Sequence, residues 1–137
     1  MPSHSEHFTA MIEAVNAGDS DRFVELSEGA TFVEPATGRT AQGDDLKATF
    51  LSWRTAFPDL RGEVVSVVED GNTVAGEVTF KGTHAGTLTT ADGGEIPASG
   101  KTVEQTEVLV GHYENGTLAR ITRYFDVLSM LRQMGAA

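Results

Sequence analysis

A chain of 137 residues is long enough for one domain with a real core, so residues 1–137 are read as a single unit. Ten Lys and Arg against twenty Asp and Glu leave a net charge of −10, which repels phosphate backbones and anionic lipid and sets nucleic acid and membrane surfaces aside as partners. The absence of cysteine excludes disulfides, thiolate nucleophiles and Cys-ligated zinc or iron–sulfur centres.

Residues 1–34 hold seven acids and one base, Arg22, without the basic and apolar stretches of a secretory leader. No apolar run approaches the ~18 residues of a membrane span. A cytoplasmic location is expected.

Ser3-His4-Ser5-Glu6 has capping-box spacing, and Phe8, Met11, Ile12 and Val15 follow at the interval of one helix face. Gly18 ends that helix, and Asp19 opens a short second one with Phe23 and Leu26 on its inner side. Ala30–Glu34 reads as a strand, and 35–43 is turn-rich. After Asp44, the residues Leu46, Phe50, Trp53 and Phe57 form the apolar stripe of a third helix, which Pro58 stops. The period then changes to two. Arg61–Glu69 and Thr73–Gly82 are strands around an Asp70-Gly71 turn, and 85–100 is expected to be a long loop. Lys101–Tyr113 and Thr117–Phe125 are two more strands around Glu114-Asn115-Gly116, and Asp126 caps a last helix, Val127–Met134. Helices followed by antiparallel strands imply an α+β fold in which helices cover one face of a strongly curved sheet.

A three-residue loop with Gly116 in the left-handed position pairs Tyr113 with Thr117. Continued along the strands, this register sets Leu109 opposite Ile121, Glu107 opposite Arg123 and Gln105 opposite Phe125. The face holding Val103, Gln105, Glu107, Leu109, Ala119, Ile121, Arg123 and Phe125 is the more apolar and is placed inward.

The segments EPATGRTAQG (34–43), AFPDL (56–60), FKGTHAGTL (80–88), IPASGKTV (96–103) and FDVLSMLRQMG (125–135), taken together and in this order, resemble the SnoaL-like polyketide cyclases. These belong to the cone-shaped superfamily that includes ketosteroid isomerase, scytalone dehydratase, limonene epoxide hydrolase and nuclear transport factor 2 (NTF2). The resemblance implies an NTF2-like α+β cone, working as a homodimer without a cofactor, with an apolar pocket between the helices and the concave sheet. In cyclases that close a ring by aldol condensation, the acid–base Asp lies seven residues after the hairpin Gly, a position held here by Arg123. Their His and Gln partners fall on Leu109 and Glu107, and the second polar pair of the epoxide hydrolases falls near Val78 and Phe80. The Asp-Pro of ketosteroid isomerase is matched by Glu34-Pro35, its first-helix tyrosine has no counterpart, and its neutral acid falls near Val108.

Three residues therefore carry the chemistry. Glu107 and Arg123 face each other on adjacent strands, as a proton carrier with an oxyanion-holding guanidinium or as a structural ion pair. Glu34, at a strand end opening into the pocket, is suited to general-base work if it is buried away from a cation. Trp53, Phe57, Phe80, Val78, Leu109 and Ile121 are expected to contact the substrate, and His84 to sit at the pocket mouth. Asp126 reads first as a helix cap, and His112 lies too far along its strand to join it. His4 and His7 lack an evident third ligand, so no metal is expected. The expected function is a cofactor-independent cyclase or isomerase acting on a small apolar carbonyl compound by general acid–base catalysis. The alternatives are a non-catalytic small-molecule carrier and a dimeric interaction module on the same fold.

Overall fold

The computed structural model describes residues 3–90 and 92–137. Helix α1 (His4–Ala17) begins where Ser3 and Glu6 cap each other reciprocally, and ends at a left-handed Gly18 whose N–H closes the last turn. Helices α2 (Ser20–Leu26) and α3 (Asp44–Ala56) follow, separated by strands β1 (Thr31–Glu34) and β2 (Arg39–Ala41). The long strands are β3 (Arg61–Asp70), β4 (Thr73–Thr83), β7 (Thr102–Glu114) and β8 (Thr117–Tyr124), and α4 (Val127–Met134) completes the chain. Within the segment read as a loop, β5 (Leu88–Thr89) and β6 (Glu95–Ile96) form a small separate hairpin. No helix among the described residues is long and apolar enough to cross a membrane.

Six strands make one sheet in the order β2-β1-β8-β7-β4-β3. Every neighbour pair is antiparallel except β1 and β8, which run parallel. Alternation along the strands sends one set of side chains toward the helices. Phe8, Met11 and Ile12 of α1 pack there against Val74, Val78, Leu109 and Ile121, and a second cluster joins Phe57, Val103, Met130 and Met134. Close approach of α1 requires Gly76 on β4, because a Cβ at that position would overlap the Phe8 ring.

The inward face of β7 and β8 is the expected one at the centre of the sheet, with Glu107, Leu109, Gly111 and Ile121 all buried. The register differs. Leu109 lies opposite Arg123 and Gly111 opposite Ile121, two residues from the expected pairing. Two features produce the slip. Asn115 (φ 52°) and Gly116 (φ 80°) form a two-residue turn that pairs Glu114 with Thr117, so the hairpin starts one residue tighter. A bulge then leaves Ala119 unpaired between the Tyr113–Leu118 and His112–Arg120 pairs. Each feature moves the pairing by one residue, and the second restores the faces that the first exchanges. Near the tip it is Leu118, not Ala119, that is buried.

Candidate active site

Arg123 stands on β8 between β1 and β7, and both neighbours bring it an acid. Parallel pairing of Val33 with Thr122 carries Glu34 alongside Arg123, and pairing of Leu109 with Arg123 sets Glu107 diagonally across from it. Arg123 Nε and Nη2 donate to Glu107 Oε1 and Oε2 at 2.6 and 2.7 Å, the parallel fork that favours arginine over lysine. Nη1 donates to Glu34 Oε2 at 2.8 Å. The three side chains are 12%, 3% and 0% exposed for Arg123, Glu107 and Glu34, so water does little to screen them.

Further polar groups complete the cluster. The Thr37 hydroxyl donates to Glu34 Oε1 at 3.1 Å, and the Gln105 amide nitrogen donates to Glu107 Oε2 at 3.3 Å. The guanidinium also lies over two rings, 3.9 Å from the Phe125 centroid and 4.6 Å from that of Trp53, within cation–π range. Burial works against the Arg123 charge, but the Glu107 and Glu34 carboxylates outweigh it and raise its pKa. With all three groups ionised, two carboxylates face one guanidinium and the cluster carries one negative charge in excess.

Beside the cluster lies a cavity of about 110 Å³. Its wall is mostly apolar, with Phe8 and Ile12 from α1, Phe50 from α3, and Phe80 and Leu109 from the sheet. Trp53, Phe57, Phe80, Leu109, Ile121, Glu107 and Arg123 border it, as the sequence suggests. Glu107 is the carboxylate on this wall among the described residues. Glu34 is fully buried and outside the lining, bonded to the guanidinium that reaches it, so the cation-free burial considered from sequence is not found.

Val78 and His84 do not reach the wall. Val78 is fully buried within the α1–sheet core. His84 is drawn under the end of α3, where the N–H groups of Ala85 and Gly86 bond to the Ala56 carbonyl at 3.1 and 3.2 Å. Its ring is fully buried 5.5 Å from that of Phe57, with Nδ1 accepting from the Ser99 N–H at 3.2 Å, instead of lining a pocket mouth. Asp126 caps α4 by accepting from the Ser129 N–H at 2.9 Å, the role its position suggested. His4 and His7 both engage Tyr113. The His4 ring stacks on it at 4.0 Å, and His7 Nδ1 lies 2.7 Å from its hydroxyl.

The wall residues not expected as site residues from sequence include Gln105, whose inward position is legible from strand alternation, and Met130 of α4, which no local pattern ties to the pocket. Among the described residues, three buried side-chain atoms have no protein hydrogen-bond partner: Trp53 Nε1, Gln105 Oε1 and His84 Nε2. Such a group costs about 1–3 kcal/mol if nothing pairs with it.

The profile described as SnoaL-like polyketide cyclase matches residues 5–134. This chain belongs to the SnoaL-like polyketide cyclase family. No curated protein sequence matches it significantly. Among solved structures, it resembles TsrD from Streptomyces laurentii with a TM-score of 0.81 at 23% identity, covering 98% of this chain and 96% of that one. IdmH from Streptomyces antibioticus, a proposed polyketide cyclase, gives 0.79 at 23% identity over 98% and 99% of the two chains. A ketosteroid isomerase-like protein from Catenulispora acidiphila, solved with trimethylamine, gives 0.78 at 16% identity over 96% and 94%. At these identities the likeness establishes the fold, an NTF2/ketosteroid isomerase-like cone. Within this SnoaL-like chain, Arg123 holds the position at which the resemblance implies an acid–base Asp, and the structure sets two glutamates around it.

Proposed function

We propose that this SnoaL-like protein is a cofactor-independent enzyme that removes a proton alpha to the carbonyl of a small, largely apolar compound. The observation that carries the proposal is the Glu34–Arg123–Glu107 cluster at the edge of an apolar cavity, with two carboxylates to one guanidinium. That stoichiometry gives the cluster room for one proton: it passes from a net charge of −1 to neutrality and still keeps an ion pair.

Glu107 borders the cavity and is the group assigned to accept the proton. In the reaction the C–H bond breaks, its electron pair moves onto the carbonyl to form an enolate, and the proton passes to a Glu107 oxygen. Nη1 and Nη2 of Arg123 each carry a second N–H beyond those given to the glutamates, and the enolate oxygen accepts from one of these. Glu34 holds Arg123 from the far side and keeps it charged. The enolate then either takes the proton back from Glu107 at another carbon, to which a conjugated double bond has spread the charge, or its alpha carbon attacks a second carbonyl of the same molecule. That attack closes a ring whose new alkoxide takes the proton from Glu107. A cavity of about 150 Å³ accommodates benzene, so the smaller 110 Å³ here limits the enclosed part of a substrate to about one small ring.

A second reading, a carrier of the same compounds, is favoured by one observation. Both Glu107 oxygens are already held by Arg123 at 2.6 and 2.7 Å, which competes with proton uptake. Proton NMR in D₂O with acetophenone and alicyclic ketones separates the two. Protein-dependent deuterium uptake alpha to the carbonyl, lost in Glu107→Gln, is the expected result. Ligand line-broadening without exchange would establish the carrier.

A further inference from the structure

We propose that Gly62 of β3 sets the size of ring that the cavity admits, by seating the Phe80 side chain against the sheet and off the ligand. The inference deepens the reading above and rests on it only in taking this cavity as the ligand site.

Gly62 is buried on β3, directly opposite Phe80 of β4. Its backbone is ordinary strand, and its φ lies outside the left-handed region. Conformation therefore does not call for glycine here, and glycine in a strand gives up side-chain packing. What the position supplies is space. A Cβ at Gly62 would stand 2.7 and 3.0 Å from Phe80 Cε1 and Cδ1, so the ring fills the room that a side chain would take. This is the cover that an aromatic ring gives a glycine across a strand pair. Phe80 is half-buried, packs against the α1–sheet core and borders the cavity.

A methyl group at Gly62 has to displace the ring, because its other neighbours are held. The strand is clamped to α1: the Gly62 N–H donates to Asn16 Oδ1 at 2.6 Å, and the Gly62 carbonyl accepts from Asn16 Nδ2 at 2.8 Å. Val78 Cγ1, 3.1 Å from the same point, belongs to a fully buried side chain. A ring turned away from β3 crosses β4 toward Gln105, the β7 residue paired with Phe80, and Gln105 also borders the cavity. The displaced ring thus takes up ligand space, and in a cavity of about 110 Å³ even a small ligand ring is affected.

The test is a chemical-shift titration of the isotope-labelled whole chain with cyclobutanone, cyclopentanone and cyclohexanone. Its readout is the ratio of cyclobutanone to cyclohexanone affinity, which a general loss of stability does not move. In Gly62→Ala that ratio should rise about tenfold, the low end of what a methylene is worth in a close-fitting pocket. In Phe80→Leu, which opens the wall, it should fall by about as much. The double variant Gly62→Ala/Phe80→Leu should lie nearer the natural ratio than either single one. An unchanged ratio in Gly62→Ala, or the same rise with leucine at position 80, would overturn the proposal. If Gly62→Ala does not fold, Phe80→Leu decides alone, and an unchanged ratio there refutes it. Deuterium exchange is read separately: a shifted ratio without exchange refutes only the enzymatic reading, and exchange with an unshifted ratio refutes only this one.

Discussion

Replacing Arg123 by methionine keeps most of the side-chain length and removes only the charge and the fork of donors. The substitution would leave Glu34 and Glu107, at 0% and 3% exposure, buried without their cation. Breaking one partner from a buried ion pair costs about 3–5 kcal/mol, and here one deletion strands two acids, so a loss of about 5 kcal/mol is expected. A domain of this length loses about 4 °C of Tm per kcal/mol, so the melting temperature should fall by about 20 °C. Urea denaturation followed by circular dichroism gives the loss directly, provided the slope m is unchanged. The companion variant Glu34→Leu/Arg123→Met/Glu107→Leu removes the stranded charges as well, and should recover most of the stability because apolar replacement of a whole buried ionic group is often neutral or better. A loss under about 1 kcal/mol in Arg123→Met, or a triple variant as unstable as the single one, would refute the assignment of this cluster as a water-poor ionic group.

Three other outcomes follow from the Tyr113 end of the fold and from α1. His7 has its pKa lowered below 6.5, first by burial. The unfolded chain therefore binds the proton more readily, and the stability contributed by neutral His7 is full above pH 6.5 and lost as pH falls below it, a slope that His7→Gln should flatten in denaturation midpoints measured from pH 7 to 5. Burial first, then the Glu69 charge, raises the Tyr113 hydroxyl to about 12, so the stability it contributes is full below pH 10 and lost as pH rises toward 12. Ultraviolet titration of tyrosinate should show a component near pH 12 that disappears in Tyr113→Phe. Gly76→Ala should cost about 1–3 kcal/mol by overpacking, since the added methyl meets the Phe8 ring, and Phe8→Leu in the same chain should return part of that loss.

Much of the site is legible in the sequence because strand alternation is a strong signal. Glu107 and Arg123 share the inward face whether the hairpin register is the expected one or the observed one, since the two differ by two residues and the faces repeat every two. The exact partner was not legible. A bulge at Ala119 leaves no mark in the hydrophobic pattern, and Asn115-Gly116 is compatible with loops of two or three residues. Glu34 was found as a candidate from Glu34-Pro35, yet its partner was not, because β1 reaches β8 by a parallel pairing across 89 positions with no local signature. His84 falls away from the pocket for a similar reason: the Gly-rich run around it reads as loop, and the bonds that fix it, from Ala85 and Gly86 to the end of α3 and between His84 and the 99–101 segment, join stretches far apart in the chain.

The parallel contact between β1 and β8 also sets the order in which the site comes into being. Glu34 and Glu107 both precede Arg123 in the chain, and the last of the three stands 89 positions beyond the first. Glu34 is therefore synthesised long before the cation that neutralises it exists. Loop closure over that distance carries an entropic cost with no local contact to offset it, so docking of β1 against β8 belongs late in folding. Until it happens, the helices can cover the β4–β7 surface while Glu34 remains solvated outside. Docking of β1 thus adds Glu34 to a Glu107–Arg123 pair that the β7–β8 hairpin already holds, in the same step that joins the amino-terminal strand to the rest of the sheet.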